Sequence, residues 1–313
     1  MDKITDRICF SDGIKLAESL LIVLLVLVLE LCSFILQGQE EKSAIVISTS
    51  QFALPLLEKW SGEYAKINVG AKFKFLGSDN SEKADLILTE SRSFEKEGST
   101  GLKIVNVGRM AVLPVANSNN KQIFRQLKNG IRQEELQNLF LPSESTGKTE
   151  DSPYTVYTSS AKSIIAKVFT DHFDKTGTEL NGVTVPGEDK YLIESLLRDS
   201  TAISFSNLGL IYDVISRKPL TGLKIVPIDL DNNGRWKKEK LFYEDLDQVI
   251  SYLESSKNLT IPTGNINFGL RTGEIKPLVS DFVGWVISSG QQYNHQYGFL
   301  RSTVPTNSAL TLK

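Results

Sequence analysis

The sequence predicts an α/β protein of two lobes, and three observations carry that expectation. Apolar runs with strand character alternate with amphipathic helical stretches from residue 44 onward. A strand, a Ser/Thr-rich turn and a helix follow one another at residues 44–60 and again at 154–173. The 313 residues are long for one hydrophobic core and comfortable for two.

The opening unit sets the pattern. Residues 44–47 (AIVI) read as a buried strand, rich in β-branched side chains. Ser48, Thr49, Ser50 and Gln51 form a small polar run. From Phe52 the period changes: Leu54, Leu57, Trp60 and Tyr64 recur at three- and four-residue steps, the stripe of an amphipathic helix. A strand entering a helix through such a turn offers free backbone N–H groups and the positive end of the helix dipole, which suits an anion. The plainer alternative is that Ser50 only caps the helix.

The chain continues with strands at 72–76 (KFKFL) and 84–89 (ADLILT), separated by a Ser/Asp/Asn turn at 77–81. Two further apolar runs, 102–107 and 110–115, are broken at Gly108 and Arg109. Short helices are expected at 121–127 and 134–141, then a polar loop at 142–153. The second strand–turn–helix unit follows: YTVYT (154–158), the polar run Ser159, Ser160, Ala161, Lys162, Ser163, and a helix marked by Ile164, Ile165, Val168, Phe169, His172 and Phe173. A helix is expected from about 186 to 197, with strands at 202–205 (AISF) and 223–228 (LKIVPI). The Asp-rich stretch 229–234 lacks calcium-loop spacing and reads as a solvated turn. A helix at 243–253, an extended stretch at 260–270 and a long amphipathic helix at 277–289 complete the body.

Composition narrows the function classes. Residues 1–38 carry three basic and five acidic groups, a surplus of two negative charges that equals the net −2 of the whole chain. The body is therefore balanced, with no basic face for nucleic acid. Two histidines and two methionines make a His-based metal site unexpected, and no cofactor is expected. Both cysteines, Cys9 and Cys32, precede the body, so it has neither a disulfide framework nor a Cys nucleophile. Residues 20–29 (LLIVLLVLVL) are an unbroken apolar run, interrupted by Glu30 and followed by LCSFIL and a polar start. This reads as a signal peptide cleaved after Gly38, with an uncleaved membrane anchor as the alternative.

Several phrases together resemble the phosphate-type periplasmic substrate-binding proteins of ABC transporters. They are STSQFALPLLEKW (48–60), IPTGNINFGL (261–270) and VGWVISSGQQYNHQYGFL (283–300). The resemblance spans about residues 44–300. It implies a two-lobed type II periplasmic binding protein-like fold, two Rossmann-like lobes joined by two hinge strands. Lobe one would be residues 43–113 plus 262–313, and lobe two 114–261. It further implies that Ser50, Gln51 and Phe52 lie where the family places a Thr-Phe ligand pair, and that Ser78 matches a ligand Ser. Glu90 stands where an Asp accepts the ligand's proton. The stretch with Thr158, Ser159, Ser160, Lys162 and Ser163 falls where the family has an Arg before Ser-Gly-Thr. Here that Arg is absent, the Ser-Gly-Thr is not intact, and Lys162 supplies the charge.

The expected function is that of a non-enzymatic, monomeric, extracytoplasmic protein capturing a small oxyanion, phosphate or a relative, for a membrane permease. An envelope accessory or regulatory protein that keeps the fold without tight anion binding is the alternative. An enzyme on the same fold is a third reading, opposed by the scarcity of His and Cys.

Overall fold

The computed structural model describes residues 44–90, 101–142, 153–231, 242–256, 260–271, 273 and 275–303. Residues 1–38, expected to be a signal peptide or anchor, most of the expected 142–153 loop and the end of the Asp-rich stretch lie outside them. The first strand–turn–helix unit forms as expected: β1 (Ala44–Thr49), a 3-10 turn (Gln51–Ala53) and α1 (Leu54–Ile67). After it come β2 (Lys72–Gly77), β3 (Leu86–Glu90), β4 (Leu102–Asn117), α2 (Lys121–Gln126) and α3 (Gln133–Phe140). The second unit is β5 (Thr155–Ser159) and α4 (Ile164–His172), followed by β6 (Val183–Val185), α5 (Asp189–Arg198), β7 (Ala202–Asn207) and α6 (Leu208–Ile211). The chain closes through β8 (Leu223–Ile225), α7 (Leu246–Ser255), β9 (Thr263–Arg271), α8 (Pro277–Ile287) and a 3-10 segment (Ser289–Tyr297). No described helix is long and apolar enough to cross a membrane.

The strands run in the order β2-β1-β3-β9-β4-β7-β5-β6, with β8 also on β4. β4 organises both halves. From Leu102 to Ala111 it pairs antiparallel with β9, and from Val112 to Ala116 with β7. At the changeover Ala111 faces Thr263, Val112 faces Asn207, and the Val112 amide donates to the Pro262 carbonyl at 2.9 Å. The apolar runs expected to break at Gly108 and Arg109 are one strand. A bulge between Asn106 and Gly108 absorbs the irregularity, and the Asn106 amide donates to the Gly108 and Ile266 carbonyls. Gly108 is needed there because a Cβ would stand 2.8 Å from Asn294 Nδ2 and 3.0 Å from the Leu300 carbonyl.

Two other departures have simple causes. The strand expected at 223–228 pairs only to Ile225, because Pro227 has no N–H to donate. The chain there is held instead by Val226 N–H to the Pro114 carbonyl and Ile131 N–H to the Pro227 carbonyl. β6 was not expected; it is three residues with two side chains exposed, too short and too wet to show a period.

Two groups of aromatic rings stand out in the core. In the first, the apolar stripe of α1 buries Leu56, Leu57, Trp60 and Tyr64, and Tyr64 meets Phe73, Phe282 and Trp285 edge-on. The Trp60 indole donates to the Gly290 carbonyl at 2.9 Å, so its polar atom is satisfied. In the second, Phe169 of α4 stacks on Phe205 of β7 at 4.0 Å, and Phe140 of α3 meets Phe205 edge-on at 4.9 Å.

Candidate functional site

Parallel strands align their carboxyl ends, and in open α/β sheets ligands sit just beyond that edge. β1 and β3 are parallel and end at Thr49 and Glu90; β5 and β7 are parallel and end at Ser159 and Asn207. Two contacts bring these edges together. The 3-10 turn after β1 touches α5, and α4 touches β3. At the second contact Lys167 Nζ lies 3.2 Å from Glu90 Oε1, tying the helix after β5 to the end of β3. The Glu90 side chain is 4% exposed and that of Lys167 33%.

The two edges differ in their hydrogen bonding. On the first, the buried hydroxyls of Ser48, Thr49 and Thr89 donate to the carbonyls of Gly77, Ser50 and Glu90. On the second, the buried hydroxyls of Thr158 and Ser159 have no partner. An unmade buried hydrogen bond costs about 1–3 kcal/mol, so such atoms mark places where a ligand or water completes the structure.

The residues expected to bind separate into groups. Thr158 and Ser159 end β5, fully or nearly buried. Ser163 caps α4, accepting from the Ile165 amide at 3.2 Å and donating to Asp189 Oδ1 at 3.1 Å. Ser160 is half-buried, and its hydroxyl accepts from the Lys162 amide at 3.3 Å. Ser50 is half-buried at the start of the 3-10 turn and makes no side-chain cap bond, so capping does not explain it. Phe52 is buried and stacks on Phe299 at 6.0 Å. Gln51, Ser78 and Lys162 are exposed. Glu90 is already ion-paired. Among the described residues no cluster of His, Cys, Asp and Glu is placed to hold a metal.

Two charged residues of this region escape a sequence reading: Lys167, which looks like the solvated side of an amphipathic helix, and Asp189, which looks like an ordinary first-turn acid. Burial pushes the Asp189 carboxyl above its ordinary range, with the Ser163 hydrogen bond opposing and Glu188 adding to the rise. An acid whose folded value is raised contributes stability below its unfolded value of about 4, and that contribution is lost as pH climbs through the raised value. Asp189→Asn keeps an acceptor for Ser163 and removes the charge. The variant is expected to be at least as stable as the parent at pH 7, with the difference shrinking below about pH 4. Melting temperatures of both proteins across that range check this.

No protein-family model matches the chain, and no curated protein matches it by sequence. Solved structures do resemble it. An ABC-type phosphate transport receptor from Vibrio cholerae superposes with a TM-score of 0.55 at 13% identity, covering 83% of this chain and 100% of the receptor. A phosphate ABC transporter substrate-binding protein with bound phosphate from Clostridium perfringens gives 0.55 at 12% identity, with 83% and 100% covered. The CcmR regulatory domain of Synechocystis in complex with 2-PG gives 0.51 at 9% identity, with 79% and 97% covered. These likenesses show the fold: mixed α/β, two-lobed, of the type II periplasmic binding protein-like kind.

Proposed function

We propose that the chain is an extracytoplasmic solute-binding protein that captures a small oxyanion, phosphate or a related anion, between its two lobes for an ABC-type transporter. The observation that carries this reading is the buried, unpartnered pair of hydroxyls on Thr158 and Ser159, at the end of the strand whose following helix carries Lys167 of the Glu90 ion pair. Phosphate receptors of the same fold lend the ligand class. In this reading lobe one is residues 43–113 plus 262–313 and lobe two is 114–261. The partner change of β4 at Ala111 and Val112 supports hinges in β4 and at the start of β9. Residues 1–38 export the protein to the periplasm or anchor it there. Binding is non-enzymatic, needs no cofactor, and is carried out by a monomer that docks on a membrane permease.

Neutral donors dominate the site. The family Arg is missing, and Glu90 and Asp189 both stand near where a charged ligand would lie. Losing a buried charged partner costs about 2–5 kcal/mol, so phosphate affinity is expected to be micromolar or poorer. Thermal-shift titration against phosphate, sulfate, a phosphonate and carboxylates tests the reading. An anion at about 100 times its dissociation constant stabilises the fold by about 2.7 kcal/mol, a shift of a few degrees. Thr158→Val and Ser159→Ala are expected to abolish most of that shift. A second reading, an envelope accessory or regulatory protein, is favoured by the Glu90–Lys167 pair, which gives Glu90 a cationic partner without any ligand. No shift with any anion selects it.

A further inference from the structure

Among the described residues seven buried side-chain polar atoms have neither a hydrogen bond nor an ion pair, and five of them lie on the last two residues of β5 and of β7. Besides Thr158 Oγ1 and Ser159 Oγ these are Ser206 Oγ, Asn207 Oδ1 and Asn207 Nδ2, on residues buried to the last few per cent. The strands are adjacent and parallel, with Val156 opposite Ile203. Alternation along the pleat therefore sets Thr158 and Asn207 on one face of the edge and Ser159 and Ser206 on the other. Together they surround the strand ends from both sides. Asn207 also faces Val112, where β4 leaves β9 for β7. Its ordinary local role is unused: it stands at the N-terminal cap of α6 yet makes no cap bond.

We infer that Ser206 and Asn207 are ligand-contacting residues, and that they select a small oxyacid anion that also carries a hydroxyl group, a hydroxycarboxylate. This rests on the binding function proposed above and deepens it. A side-chain amide offers two donors on nitrogen and two acceptor sites on oxygen, and both ends of Asn207 are empty. A bare anion without a proton fills only the donor end and leaves the buried Oδ1 unpaired. A carboxylate accepts from Nδ2 and the serine and threonine hydroxyls, while a hydroxyl on the same molecule donates to Oδ1. Asp189 and Glu90 nearby disfavour a ligand of high negative charge, which a single carboxylate avoids.

Glycolate and acetate are the test pair, since they differ only in the hydroxyl. The full chain is expected to bind glycolate about 10-fold or more tighter than acetate, the scale of one buried hydrogen bond. Asn207→Leu is expected to lose that preference, and its ligand-free melting temperature should hold or rise, because an apolar side chain replaces unsatisfied atoms. Ser206→Ala should weaken both ligands with the same lack of stability cost, and it serves where the leucine variant does not fold. A ligand-free melting temperature several degrees lower in either variant overturns the assignment, since the side chain then has a structural partner. Equal binding of glycolate and acetate overturns the ligand class. If phosphate shifts the parent and Asn207→Leu alike, this inference falls and the oxyanion-binding function stands. If no anion shifts the parent, both fall.

Discussion

Lys167→Ala is expected to destabilise the protein by about 2–3 kcal/mol, through Glu90 rather than through lost packing. The Glu90 carboxylate is almost fully enclosed, and the ammonium at 3.2 Å is its ion-pair partner. Breaking a buried pair from one side costs about 3–5 kcal/mol; the one-third exposure of the Lys167 side chain argues for a smaller figure. Glu90→Gln removes the charge that Lys167 balances, so the double variant is expected to recover much of the loss. Urea unfolding of the parent, the two single variants and the double variant measures this coupling. Simple additivity of the two single losses would show that the pair does not hold the edges together. The same pair bears on binding, because an anion entering beside Glu90 competes with it for Lys167.

Phe169→Ala is expected to cost about 3–5 kcal/mol, the usual range for emptying a large aromatic from a core. Phe169 is 1% exposed, stacks on Phe205 at 4.0 Å and meets Phe140 at 5.5 Å. The three rings come from α4, β7 and α3, so the cavity would loosen the packing behind the strand ends that carry Thr158 and Asn207. Chemical unfolding gives the loss directly. A change below about 1 kcal/mol would mean that the neighbouring rings collapse into the space.

The sequence carries the scaffold better than the site. The paired strand–turn–helix units were readable because their periods are strong: two-residue or continuous apolar runs, then steps of three and four. Ser163 reads as the last residue of a polar run, with Ser159 and Ser160 the more obvious caps, yet it is Ser163 that caps α4. β4 reads as two runs in the sequence because Gly108 looks like a break, whereas a bulge and a close approach to Leu300 use that glycine without ending the strand. Lys167 and Glu90 are far apart in the chain, and nothing in either local pattern announces the other. Ser206 and Asn207 close a stretch, SFSN, that reads as an ordinary strand end. Their interest lies in being dry and unpartnered, and burial of that kind depends on which elements close over the edge, not on local spacing.

In the proposed function the carboxyl edge of β5 and β7 holds a small anion. The most direct measurement is a crystal structure of the chain grown with the tightest-binding anion of the titration panel. That anion is expected at the strand ends, within hydrogen-bond distance of Thr158, Ser159, Ser206 and Asn207 and facing the turn that begins at Ser50. An anion bound elsewhere, or these four side chains hydrogen-bonded only to other groups of the protein, would contradict it.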